Sequence, residues 1–140
     1  VLAGTEASKS DPLQIYAGMA KLEANMAEAA GAVMVGAMAG GNAEIRTEAR
    51  EDFNSDAGQI ENYVATLRAT PLNGEQTQAL ESFVSQWEPI AEAGRNLLAS
   101  EDDDIQQAAF EWWQSLDGLD DLIDDQLEAI LKAQGIELSS

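Results

Sequence analysis

The chain has no cysteine and no histidine, and its 7 Lys plus Arg stand against 26 Asp plus Glu in 140 residues. Each shortage removes chemistry. Without Cys there is no disulfide, iron–sulfur cluster, thiolate nucleophile or zinc ribbon. Without His there is no Ser–His–Asp triad, haem–imidazole ligation or di-iron site of the Glu-x-x-His kind. A formal charge of −19 leaves no basic patch for nucleic-acid phosphates. Three Pro leave room for long helices. Most enzyme classes are excluded at this point, and no cofactor is expected.

Long apolar runs are missing too. The N-terminal stretch from Val1 to Ser10 has no basic segment followed by an apolar one. The longest uncharged run, Ala29 to Ala43, is mostly Ala and Gly and is shorter than the roughly 20 residues a bilayer core requires. The sequence therefore reads as a soluble domain, meeting a membrane only through flanking segments. A length of 140 with 45% hydrophobic residues fits one folded domain, expected over residues 1–140.

What is present is helix. Ala is the commonest residue, β-branched residues are few, and no hairpin signal separates alternating runs. Four patterns stepping by 3 and 4 predict helices over about 12–39, 42–70, 74–99 and 101–134. The first opens with Asp11 as cap and Pro12 at the first helical position, and its stripe is Ile15, Met19, Leu22, Met26, Ala29 and Val33. The second follows Asn42 with Ile45, Ala49, Phe53, Ala57, Ile60, Val64 and Leu67, and Pro71 ends it. The third carries Leu80, Phe83, Trp87, Ile90, Gly94 and Leu97, with Pro89 expected to kink it without changing its phase. The fourth is expected to be capped by Ser100, with Asp103 in the capping-box position. Its stripe is Ile105, Ala109, Trp112, Leu116, Leu119, Ile123, Gln126 or Leu127, and Ile130.

Short connections make neighbouring helices antiparallel. The expected fold is all-α, an antiparallel up-down-up-down four-helix bundle with both termini at one end.

Several clusters could carry function. Asp117, Asp120, Asp121, Asp124, Asp125 and Glu128 line one helix at spacings of 3 and 4. They read as a solvated face, because carboxylates on one helix diverge whereas a hard cation wants converging ligands. No metal site is expected. Trp112 and Trp113 are adjacent, so they point about 100° apart on a helix, one toward the core and one toward a groove or second protomer. Arg46, Arg50 and Arg95 fall in the half of the bundle opposite the termini. They read either as partners of Glu44, Glu48 or Glu92, or as a clamp for an anion or carboxylate. The uncharged run Gly31 to Gly41 suits close helix approach, inside the bundle or between protomers.

A helical bundle with both ends at one pole resembles the extracytoplasmic sensor domain of bacterial methyl-accepting chemotaxis receptors and related sensor kinases, over about residues 12 to 135. The best local match is Leu72 to Trp87 followed by Asn96 to Ser100. The PilJ-like nitrate-sensor subfamily carries Ala-Gly-Arg in its first helix, and here Ala17-Gly18 is followed by Met19. The resemblance implies a non-catalytic, periplasmic ligand-binding module of an inner-membrane chemoreceptor, a homodimer whose first and fourth helices carry the signal. The ligand, a small anionic or carboxylate-bearing molecule or a ligand-loaded binding protein, is expected in the distal layer at Arg46, Arg50, Arg95, Trp112 and Trp113. The alternative is a free periplasmic or secreted helical-bundle interaction protein.

Overall fold

The computed structural model describes residues 11–135, and every regular element among them is α-helical. The helices are α1 (Pro12–Met38), α2 (Ala43–Arg68), α3 (Gly74–Ala99), α4 (Gln106–Gln114) and α5 (Asp117–Ala133). Together they form a helical bundle around one core. The chain termini, whose position at one end was expected from topology, lie outside the described residues.

The caps follow the local sequence. Asp11 accepts from the N–H groups of Leu13 and Gln14, and Asn42 accepts from Ile45. Asn73 and Gln76 satisfy each other's orphan donors in a capping box. Gly40 closes the turn after α1 with φ +56°, a conformation that costs a residue with a Cβ.

The predicted stripes of α1 and of α4–α5 are buried throughout, and Phe53 and Phe83 are sealed at the centre. Each fully buried large apolar side chain contributes about 1.5–3 kcal/mol. Close approach is built on glycine. A Cβ on Gly18 would lie 2.8 Å from Leu67, and one on Gly36 would collide with Leu98. A Cβ on Gly94 would lie 2.7 Å from the Phe53 ring. Gly31, by contrast, faces open space.

Three expectations are corrected. Ile45 is exposed, and its neighbour Arg46 takes the buried position instead. In α3 the buried positions beyond Pro89 are Ala91, Gly94 and Leu98, which keep the 3–4 phase of Leu80, Phe83 and Trp87, while Ile90 and Leu97 are only half-buried. Gly94 admits Phe53 and Trp112, and Leu98 covers Gly36, so the centre of the face runs through Ala91, Gly94 and Leu98 and leaves Ile90 and Leu97 at its edge.

The fourth helix is the largest difference. It starts at Gln106, not 101, and it is interrupted at Ser115–Leu116. Ser100 and Asp102 spend their side chains on the N–H groups of Asp102 and Asp104, two residues ahead. Such local bonds compete with helix formation. The expected Asp103 capping box is therefore absent. At the interruption the backbone tightens, with Leu116 N–H donating to Trp113 three residues back, and the Ser115 hydroxyl bonds back to the Trp112 carbonyl.

Candidate functional site

The chemistry-bearing side chains gather where α1 ends, α2 begins, and α3 passes through residues 100–105 into α4. Arg46 organises that end. It is buried, and its guanidinium donates to the carbonyls of Gly36 at 3.1 Å, Ser100 at 3.1 Å and Asp102 at 3.3 Å. These carbonyls lie at or near the ends of α1 and α3 and in the loop that follows, where a helix leaves acceptors unfilled. Arg46 thus fixes two helix ends and a loop from a third helix. None of its partners is a carboxylate, so the expected pairing with Glu44 or Glu48 does not form.

The other predicted residues are dispersed around this end. Arg50 is half-buried and makes no ion pair within 4.0 Å among the described residues. Arg95 is exposed and donates Nε to Asn54 Oδ1 at 3.3 Å across α2 and α3. It borders a groove of about 610 Å³ that also holds Arg68, Glu61, Glu88 and Glu92. Trp112 is a core residue: its Nε1–H donates to the Ile90 carbonyl at 2.7 Å, and its ring meets Phe53 edge-on at 5.8 Å. Trp113 points to solvent, 48% exposed, and lies 6.0 Å from the ring of the equally prominent Phe110. The two tryptophans thus point apart, Trp112 into the core and Trp113 to solvent, and the five residues do not line one cavity together.

An open groove of about 800 Å³ runs between the second half of α3 and α4. Ile90, Ala93 and Leu97 form one wall, and Ile105, Ala108 and Trp112 form the other. The carboxylates of Asp102, Asp104 and Glu111 stand along it. The late start of α4 and the edge position of Ile90 and Leu97 open this space. The sequence does not reveal it, because the 3–4 stripe places Ile90 and Leu97 in the core.

Carboxylates also meet across helix interfaces on both sides of α1. Glu23 shares a hydrogen bond with Asp124 of α5; burial, that bond and the nearby charges of Asp124 and Asp120 raise its pKa to about 7. On the opposite side Asp56 of α2 pairs with Glu28, and burial, that bond and the charges of Glu28 and Asp52 raise it to about 6. Asp120 is raised as well, by burial and by Asp124, Asp117 and Asp121. Among the described residues the carboxylates form no group arranged to hold a metal ion. The acidic cluster of α5 thus enters the structure through Asp120 and Asp124, which face Glu23.

The ion pair within 4.0 Å among the described residues is Arg68–Glu81, exposed and two-pronged, at 2.9 and 2.6 Å. It joins the end of α2 to the start of α3. No described helix is long and apolar enough to cross a membrane.

Comparison with known proteins finds no matching family model, no matching curated protein and no matching solved structure.

Proposed function

We propose that the chain is a non-catalytic sensor module of the kind that bacterial chemoreceptors and sensor kinases carry outside the cytoplasm. In this reading it is an antiparallel up-down-up-down bundle, binding a small ligand or a ligand-loaded protein at one pole. Displacement of α1 against α5 carries the signal at the other. One observation carries the reading: Pro12 of α1 and Gln134, just past α5, border the same groove of about 290 Å³. The two helices that would continue toward a membrane therefore lie side by side, as a displacement signal requires.

Close contacts support the antiparallel arrangement. Gly18 near the start of α1 meets Leu67 near the end of α2, whereas Gly36 near the end of α1 meets Ala49 near the start of α2. The outward side of α1 supports a homodimer, since Leu13, Ala17, Ala24, Gly31, Val35 and Met38 are all exposed there.

The test is a thermal-shift screen of the purified chain against amino acids, dicarboxylates, inorganic anions and polyamines, followed by titration of the Arg50→Ala and Arg95→Ala variants. A ligand at 100 times its Kd stabilises by about 2.7 kcal/mol, well within reach of the method. Saturable stabilisation supports the reading, and a flat screen overturns small-ligand sensing. A second reading, a free periplasmic or secreted interaction protein, is favoured by the exposed Phe110–Trp113 pair. Solvent-facing aromatics in contact are the side chains that anchor protein interfaces.

A further inference from the structure

The groove between α3 and α4 has an apolar interior, an acidic margin and no basic side chain along it. We propose that it docks a basic amphipathic helix of a partner protein. The proposal stands whether or not the bundle belongs to a membrane receptor.

The walls set the shape. Ile90, Ala93 and Leu97 step by 3 and 4 along α3, and Ile105, at the N-cap of α4, begins the same steps to Ala108 and Trp112 within it. Two helical rows of this kind form a trough that accepts the ridge of a third helix. Ala93 and Ala108 are exposed positions within those rows, small enough to receive the partner's larger apolar side chains. A helix with apolar residues at i, i+3 or i+4, and i+7 matches this spacing.

Charge sets the sign. Asp102, Asp104 and Glu111 border the trough in a chain of net charge −19. The nearby Arg46 is buried, with three of its N–H donors bonded to backbone carbonyls, so it does not present an exposed cation to the trough. An acidic margin attracts a partner with Lys and Arg flanking its apolar stripe, and repels an acidic one. A second copy of this chain is a poor occupant. Two bodies at −19 repel, and Arg46 and Arg50, the closest-spaced bases of its described helices, are buried and half-buried.

The experiment uses the full chain, labelled with ¹⁵N, and two synthetic peptides of one amphipathic Leu pattern, one carrying Lys and the other Glu at the polar positions. At near-physiological salt the Lys peptide is expected to bind saturably, to move the Trp112 indole N–H signal, and the Glu peptide is expected not to bind. Ala93→Trp fills the trough, and the triple variant Asp102→Asn, Asp104→Asn, Glu111→Gln neutralises its margin while keeping the Asp102 acceptor as an amide. Each should raise Kd at least about tenfold. A control triple of equal charge change on α5, Asp121→Asn, Asp125→Asn, Glu128→Gln, should raise it less than about threefold. Circular dichroism checks that each variant keeps its helix. The proposal is overturned if neither peptide binds, if both bind alike, or if the control triple weakens binding as much as the margin triple. It is equally overturned if folded Ala93→Trp binds unchanged, or if the Trp112 signal stays still on saturation.

Discussion

Arg46 and Ser100 are 54 positions apart in sequence, and the guanidinium of one donates to the carbonyl of the other at 3.1 Å. That bond, with those to Gly36 and Asp102, ties the end of α1 and the segment leaving α3 to the start of α2. It also holds two carbonyls of the 100–105 segment that helix continuation would need for its own bonds.

Removing this side chain should therefore damage the fold rather than a ligand site. Arg46→Ala leaves three carbonyls without their charged donor, and hydrogen bonds to charged groups contribute about 1.5–3 kcal/mol each before solvent replaces them. The expected loss is about 2–4 kcal/mol by urea denaturation, and Arg46→Lys should recover little of it because one ammonium does not span three acceptors. A loss below about 0.5 kcal/mol would show that water replaces the guanidinium at no cost.

Two glycines should respond in opposite directions to the same change. Gly31 lies within α1 and faces open space, so Gly31→Ala gains helix propensity and should stabilise by about 0.5–1 kcal/mol. Gly94 lies within α3, where a Cβ would come 2.7 Å from Phe53 and 3.1 Å from Trp112. Gly94→Ala forces both rings to shift and should destabilise by about 1–3 kcal/mol. Thermal denaturation of the two variants beside the parent chain decides it. Destabilisation by both would mean that the outer face of α1 is packed against something, with a homodimer as the first candidate.

The acid pairs beside α1 give a pH dependence of definite sign. In the folded bundle Glu23 is raised to about 7 and Asp56 to about 6, from ordinary values of 4.5 and 3.8. Folding thus favours the protonated forms. The stability they provide is complete below the ordinary carboxylate range and is lost as pH rises through about 6 and then about 7. The melting temperature should accordingly be higher near about pH 5 than near about pH 8. Glu23→Gln should raise it at the alkaline end and flatten the upper part of the profile. A melting temperature that climbs steadily over this interval would contradict the pairing of Glu23 with Asp124.

Much of this architecture is local and was readable as such. Asp11, Asn42 and Asn73 cap because a short polar side chain before an apolar 3–4 stripe has an orphan N–H within reach. Trp112 and Trp113 separate into core and surface because neighbours on a helix point about 100° apart. Other features depend on residues distant in sequence. Ser100 to Asp104 fits either a helix start or a chain of tight turns, and Arg46 favours the second by binding two of its carbonyls. Ile45 and Arg46 compete for one buried position, and propensity awards it to isoleucine. The structure gives it to arginine because three acceptors wait there. The carboxyl pairs Glu23–Asp124 and Glu28–Asp56 join different helices, so no spacing along one helix reveals them.

In the proposed sensor, binding at one pole moves α1 against α5 at the other. The most direct measurement grafts residues 12–134 between the two transmembrane helices of a receptor whose kinase output is already measurable, joined in helical register at both ends. A compound that stabilised the isolated domain in the thermal screen is then applied from outside. A saturable change in kinase output is expected at the concentrations that stabilise the isolated domain. A graft that binds the compound with the same affinity and leaves kinase output unchanged would contradict it.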